Sequence, residues 1–320
     1  MAGPRVEVEV GGRRLSLSNL DKALYPDGTT KASVIGYLQA IGPVLLPHLA
    51  GRALTRVRYP SGSDGPSFFE KRAPSHTPDW VRTVELRVTS DGTRWGEPGS
   101  RRRTEPEMVP FVVAEEVATL VWLGNLAALE LHAPMARAVG APGVPTAVVF
   151  DLDPGAPATA VECAQVALLV KEILDAVGLE AVVKSSGSKG LQLYVPINRP
   201  DATFAETRSF ARSIAQLLEA RHPRLVVSTQ RKDLRGGKVL VDWFQNEPSK
   251  TTIAVYSLRA RAEPFASCPL TWAEVDVLAE SPTPTYAQRR YDEVLTRVRQ
   301  HGDLFAPVLT LSQELPRLGG

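Results

Sequence analysis

The chain has 320 residues, 43% of them apolar and 22% charged, with a net charge of +2 and two cysteines, Cys163 and Cys268. That supplies apolar surface for one large domain or two lobes sharing a cleft, and it excludes a disordered chain, a disulfide framework and a cysteine metal cluster, leaving both thiols as buried or half-buried residues. The N-terminus alternates charged and apolar residues up to Arg14 instead of carrying the apolar block of a signal peptide, and no window reads as a spanning stretch of about 18 apolar residues. A cytoplasmic protein with no membrane partner is expected.

Along the chain, apolar periodicity predicts a strand over 6–10, a helix over 33–46 and a strand over 53–59 ahead of a Gly/Ser/Pro loop. Phe68 and Phe69 lie where that loop passes into a strand. Adjacent strand residues point to opposite faces, so one should enter the core and the other face outward, where it can stack on a base. Residues 91–110 are rich in Gly, Pro and charge and read as an exposed loop. Its Arg101, Arg102 and Arg103 suit a phosphate backbone or plain solvent. Residues 115–131 have helical spacing and lead into His132, a lone histidine of a kind that is usually structural.

After Gly140 the pattern sharpens: a strand into Asp151, a helix over 158–177, strands over 181–185 and 191–197, a helix over 203–221, strands over 238–244 and 251–257, then helices over 272–279 and 286–301. The order β-α-β-β-α-β across 148–244 fits an α+β split plait with its helices on one face of the sheet. One domain is expected, with an N-terminal lobe over 1–140, a core over 141–262 and a C-terminal helical segment over 263–320.

Chemistry concentrates in the core segment. In Val148-Val149-Phe150-Asp151-Leu152-Asp153-Pro154-Gly155 the two acids are spaced i, i+2 on a strand and therefore share a face. Bare carboxylates that close repel, and must take up a proton or a cation; a hard divalent metal suits oxygen ligands. The plainer alternative is a capping turn, since Asp-Pro-Gly terminates strands well. Asp242 ends a second short apolar strand, where an unpartnered carboxylate would be costly to bury; either an arginine or a cation should meet it. In a plait the first and last strands can lie side by side. That would bring Asp242 to Asp151 and Asp153, and three converging acids make a site for two metals about 3.5–4 Å apart, the arrangement of in-line phosphoryl transfer.

The run Lys184-Ser185-Ser186-Gly187-Ser188-Lys189-Gly190-Leu191 places small residues and a lysine in a turn between strands. Glycines let a phosphate approach free backbone N–H groups, Lys189 adds charge, and Ser186 and Ser188 add donors. A flexible hairpin with a surface lysine is the alternative, and the turn is not a Walker loop. Arg259, beyond the strand that begins near Lys250, is placed to stabilise charge on a triphosphate. Between Lys184 and Arg261 there are 14 Lys/Arg against 6 Asp/Glu, a surplus of 8, so the rest of the chain carries −6. A basic surface on a nearly neutral protein suits phosphates, whether of nucleic acid or nucleotide, or is simply solvated.

Taken together, Asp-Leu-Asp-Pro-Gly, Ser-Gly-Ser-Lys-Gly-Leu, Val-Asp-Trp-Phe-Gln-Asn and Lys-Thr-Thr-Ile-Ala-x-Tyr-Ser-Leu-Arg, in this order, closely resemble the polymerase domain of bacterial DNA ligase D, in the archaeo-eukaryotic primase superfamily. The resemblance runs from Leu17 to Leu295 and implies the primase-polymerase fold. It implies that Asp151, Asp153 and Asp242 hold two Mg²⁺ or Mn²⁺ ions, and that His132, Ser186, Lys189, Gln192 and Arg259 hold the incoming NTP or dNTP. Lys22 and Lys31 would read the 5′-phosphate of the downstream strand, Phe68 and Phe69 would stack on template bases, and Arg235 and Gln245 would lie near template and primer. Gln192 departs from the family's usual histidine, so nucleotide affinity or its pH dependence should differ. The connection from Val139 to Pro145 also looks short, which would alter the grip on a broken end.

The implied activity is template-dependent addition of ribo- or deoxyribonucleotides to a primer at short gaps or double-strand breaks, close to the nucleoid, with DNA, Ku and a DNA ligase as partners. A non-catalytic DNA-end bridging factor and a de novo primase are the alternatives. No ligase or phosphoesterase sequence follows Gly320, so a stand-alone version or an excised domain is expected.

Overall fold

Alternation along one strand organises the molecule. In the computed structural model, which describes residues 5–88 and 107–316, the strand Ala147–Pro154 sends Val148, Phe150 and Leu152 into one apolar core, whereas Ala147 and Val149 join a second. Asp151 and Asp153 continue that second face. The strand sits inside a six-stranded sheet ordered Val226–Val227, Val239–Asp242, Ala147–Pro154, Leu191–Pro196, Val182–Ser185 and Pro269–Leu270. All neighbours are antiparallel except the first two strands, which are parallel. The last strand of the expected βαββαβ unit thus lies beside the first, as in a split plait.

The helices Ala160–Ala176 and Phe204–Arg221 cover the face that carries Val148, Phe150 and Leu152. Each begins at a capping box, Thr159 with Glu162 and Thr203 with Glu206, in which the threonine oxygen and the glutamate side chain satisfy N–H groups reciprocally. Helix starts are therefore fixed locally, and Ala164, Val170, Phe210, Ile214 and Leu218 supply the buried stripe.

A second sheet runs Thr251–Ile253, Ala128–Pro134, Thr55–Arg58 and Phe68–Glu70. It takes an edge strand from beyond the plait, and the plait takes its own edge strand Pro269–Leu270 from the C-terminal segment. The helix Lys31–Leu49 is long and apolar enough, by length and composition, to cross a membrane, contrary to the sequence reading. Its apolar residues are spent on packing: Val34, Tyr37, Leu38, Ile41, Leu45 and Leu49 are buried in the core.

Several expectations are corrected. The helical spacing over 115–131 resolves into a helix, Val117–Asn125, and a strand, Ala128–Pro134. Ala127 breaks them apart in a left-handed conformation, φ 56°. Of the loop read over 91–110, residues 107–110 belong to the strand Glu107–Val112, paired with Thr83–Val88; Arg101, Arg102 and Arg103 lie outside the described residues. The strand read over 251–257 stops at Ile253, and the last long helix is Tyr291–His301 rather than 286–301. Phe68 and Phe69 are both exposed, at 53% and 50%, so neither enters the core. Both cysteines are buried and free, as expected.

Where the strand Val239–Asp242 ends, a side chain continues its ladder. Buried Asn246 accepts from Val149 N (2.8 Å) and donates to Val149 O (2.7 Å). Asn246→Ala leaves both backbone groups buried and unpaired, and a loss of ~3 kcal/mol is expected. Urea unfolding measures it; an unchanged midpoint would refute the bracing role.

Candidate functional site

The register sets Asp242 directly opposite Asp151, and Leu240 opposite Asp153. On the other side Gln192 faces Asp151, and Lys184 faces Gln192. Asp242, Asp151, Gln192 and Lys184 thus form one row across four strands, on the face turned away from the two plait helices. Loss of hydration pushes the Asp151 carboxyl well above the usual carboxylate range, and the charges of Asp153 and Asp242 push it further. Asp153, whose side chain reaches solvent, is raised by burial and by Asp242, while Arg235 and Arg259 pull it back.

These acids do not form a ready cage. Asp242 Oδ1 accepts from Phe244 N (2.9 Å) and its Oδ2 from Gln245 Nε2 (3.0 Å), while Asp151 Oδ1 accepts from Gln192 Nε2 (3.0 Å). Among the described residues no group of three or more His, Cys, Asp or Glu side chains is arranged to hold a metal ion as it stands. The sequence expectation of a converged three-acid site is corrected to that extent: the strands converge, but carboxylate oxygens are engaged by N–H donors. The donor chemistry still fits a hard divalent cation. Three carboxylates on paired strands, two of them pushed above the usual carboxylate range first by burial and then by neighbouring acids, form a charge excess that such a cation relieves.

A second cluster faces the acids. Glu130, buried in the strand Ala128–Pro134, shares Oε2 between His132 Nε2 (3.0 Å) and Arg259 Nη1 (3.2 Å), and its Oε1 accepts from Ala260 N (3.1 Å). Burial alone would raise its pKa, but His132 and Arg259 outweigh that and hold it below the ordinary glutamate value. Arg259 Nε is buried without a partner, a donor left over for an anion. The Ser-Gly turn packs against this arginine. Gly187 has φ +67°, and a Cβ there would lie 2.7 Å from Arg259 Cγ and 2.8 Å from the backbone of Ala266 and Ser267, so only glycine fits.

Within the turn, Ser186 Oγ accepts from Ser188 N (3.3 Å) and Gly190 N (3.2 Å). Those two N–H groups, expected to point at a phosphate, point inward. The Ser186 hydroxyl hydrogen stays available, and Lys189 is exposed. Gln192, expected at the nucleotide, is 3% exposed, and both ends of its amide are engaged. Gln245 is likewise turned to Asp242. Arg235 lies close enough to Asp153 to lower its pKa and is anchored by Gln230 (2.6 Å to its carbonyl).

Elsewhere, a bridge between Ala23 and Thr30 closes a loop that brings Lys22 to Lys31, whose backbone N donates to Lys22 O (2.8 Å). The ammonium of Lys31 is buried against Ser18 O (2.7 Å); burial first, and then Lys22 and Arg58, hold it down to about 8. Three cations crowd here, Arg58 paired with Glu70 (2.8 Å), and the surplus of positive charge suits a phosphate. Sequence reasoning missed Arg58, Glu130 and Lys184. Glu130 had a signal, since Glu-x-His on a strand puts both residues on one face, as in the Asp151/Asp153 pair.

A family profile described as "LigD, primase-polymerase domain" matches residues 30–305. The multifunctional non-homologous end joining DNA repair protein LigD of Mycobacterium tuberculosis is 41% identical over 300 residues, covering 91% of this chain and 36% of that protein. The bifunctional non-homologous end joining protein LigD of Bacillus subtilis is 32% identical over 304 residues, covering 95% of this chain and 45% of its own length. The chain therefore spans less than half the length of these relatives. Among solved structures, the polymerase domain of Mycobacterium tuberculosis ligase D in complex with DNA superposes with a TM-score of 0.82 at 39% identity, covering 94% of this chain and 99% of that one.

Glu130→Gln removes the charge that both His132 and Arg259 lean on. With those partners still partly hydrated, a destabilisation of ~1–3 kcal/mol at neutral pH is expected. Because the folded carboxyl titrates below the ordinary value of 4.5, this stability is complete above that value and is lost as the pH falls through the folded pKa. Denaturant midpoints of parent and variant should converge in acid; a gap independent of pH would refute the ionic role.

Proposed function

The chain belongs to the LigD primase-polymerase family, and from that premise we propose that it is a template-dependent nucleotidyltransferase extending a primer 3′-end at short gaps or broken DNA ends. The observation that carries the reading is the register of Asp242 against Asp151, with Asp153 two residues on, beside the Glu130–His132–Arg259 cluster. Mn²⁺ or Mg²⁺ would be held by Asp151, Asp153 and Asp242, and when bound supplies the positive charge that favours ionisation of a hydroxyl nucleophile and departure of pyrophosphate.

The chain's own residues do the rest. Arg259, its guanidinium oriented by Glu130 and carrying a spare N–H, binds triphosphate oxygens together with His132, Lys189 and the Ser186 hydroxyl. Lys22, Lys31 and Arg58 grip the 5′-phosphate across the gap. Phe68 and Phe69, both exposed, offer two rings for bases. The basic segment around Arg235 steers the duplex. Substrates are thus NTPs or dNTPs and DNA, and the protein works in the cytoplasm at the nucleoid with Ku and a DNA ligase. The name of the mycobacterial relative, a DNA repair protein of end joining, supports this setting. Retention of all three acids favours turnover over a purely bridging role, and the crowded lysines favour filling over unprimed initiation.

Asp153→Asn, nearly isosteric at an exposed position, should reduce Mn²⁺-dependent extension of a gapped primer by at least about a hundredfold while leaving DNA affinity within about twofold. Extension at the parental rate would overturn the assignment. A second test uses the lowered ammonium of Lys31. It is charged below about 8 and neutral above, so preference for a 5′-phosphorylated gap over a 5′-hydroxyl gap should fall about tenfold between pH 7 and 9, the value of one charge-assisted hydrogen bond. Lys31→Arg should hold its preference across that range. A flat parental profile would remove Lys31 from the phosphate site.

A further inference from the structure

Lys184 is a buried cation that no step above uses. It is 0% exposed in the strand Val182–Ser185, and its three N–H bonds are all taken, by Gln192 Oε1 (2.6 Å), Ser267 Oγ (2.8 Å) and Ile253 O (3.0 Å). Ser267 in turn donates to Ser185 O (2.7 Å), which leaves its oxygen lone pairs for the lysine. The ammonium therefore has a single orientation and joins the plait to the edge strand of the second sheet.

An ammonium can only donate. The amide of Gln192 must therefore present its oxygen to Lys184 and its nitrogen to the opposite side, where Asp151 Oδ1 accepts at 3.0 Å. A glutamine amide is ordinarily free to flip; this one is not, because the flipped form would set an NH₂ group against an ammonium and an amide oxygen against a carboxylate. The row Lys184, Gln192, Asp151 follows the strand register, each residue directly opposite the next, so the geometry needs no loop to maintain it. One carboxylate oxygen of Asp151 is held by this bond, and Asp242 lies opposite Asp151 on its other side in the register.

We propose that Lys184 is a positioning residue which, through Gln192, holds the Asp151 carboxylate in the orientation that captures a divalent cation. The inference rests on the reading that Asp151, Asp153 and Asp242 hold the metal, and it gives Gln192 a role that makes no contact with nucleotide. Partners of this kind, one step behind a metal ligand, are worth about 10–100-fold in metal affinity.

The test is Mn²⁺ binding to the nucleotide-free protein, read from the electron paramagnetic resonance signal of free Mn²⁺. Lys184→Met and Gln192→Met should each weaken binding about tenfold, and the double variant no further than Gln192→Met alone, because both changes cut one chain. Effects that multiply would show that Lys184 acts independently of Gln192 and overturn the proposal. If Lys184→Met does not fold by circular dichroism, Gln192→Met decides: parental affinity overturns the proposal, a tenfold loss supports it. No Mn²⁺ binding by the parent protein would overturn the three-acid reading and this inference with it, whereas parental binding by Gln192→Met overturns the inference alone.

Discussion

Strand alternation with one face already taken is the constraint on which the site depends. Because helices Ala160–Ala176 and Phe204–Arg221 claim Val148, Phe150, Leu152, Leu191, Leu193, Val195, Val239 and Val241, every residue between them is forced to the opposite face. Asp151, Asp153, Gln192, Lys184 and Asp242 are those residues. A register slip of one would exchange the valines for the acids and bury charge under two helices, so the apolar core enforces the electrostatics of the far side. The acids need no stabilisation of their own to be gathered there.

Gathering them is costly, and the surrounding structure shows how the charge is handled. Asp151 keeps its proton well above the usual carboxylate range, Asp242 turns its oxygens to Phe244 and Gln245, and Arg235 and Arg259 draw on Asp153. On the cationic side, Lys184 is held down to about 7, first by desolvation and against the pull of Asp151. Each of these is a compromise that a bound cation or a polyanion would relieve. Strained charge at the floor of an otherwise well-satisfied fold marks where ligands contribute most.

The plait, its two helices and the proximity of Asp242 to Asp151 and Asp153 were legible in the sequence, because the apolar runs are local signals and a plait sets its first and last strands side by side. What was not legible depends on partners distant in the chain. Nothing near Ala127 announces a left-handed residue, so the end of the helix Val117–Asn125 and the strand that carries Glu130 and His132 were merged into one helix. Phe68 and Phe69 were expected to divide between core and solvent, but both are exposed, since alternation alone does not say whether either face of a strand is covered. The inward turn of Gln192 follows from Lys184 lying opposite it, which only the pairing of the strands Leu191–Pro196 and Val182–Ser185 reveals. Carboxylate orientation at Asp242 was out of reach for the same reason, since it is decided by Phe244 and Gln245 curling back in a short 3₁₀ turn.

The cluster around Arg259 is assembled from segments that have no local reason to meet. Gly187 lies against Arg259 closely enough to forbid a Cβ; Arg259 leans on Glu130 from the second sheet; Ser188 is tied to Arg261 and, through its carbonyl, to Gln288 Nε2 at 3.1 Å. The edge strand Thr251–Ile253 leads from one sheet to this arginine, and its Ile253 carbonyl receives Lys184 from the other. A displacement of either sheet would therefore reach the acid row through Lys184 and the Glu130–His132 pair through Arg259 at once. The acid row and the Arg259 cluster are thus coupled by the same short stretch of chain.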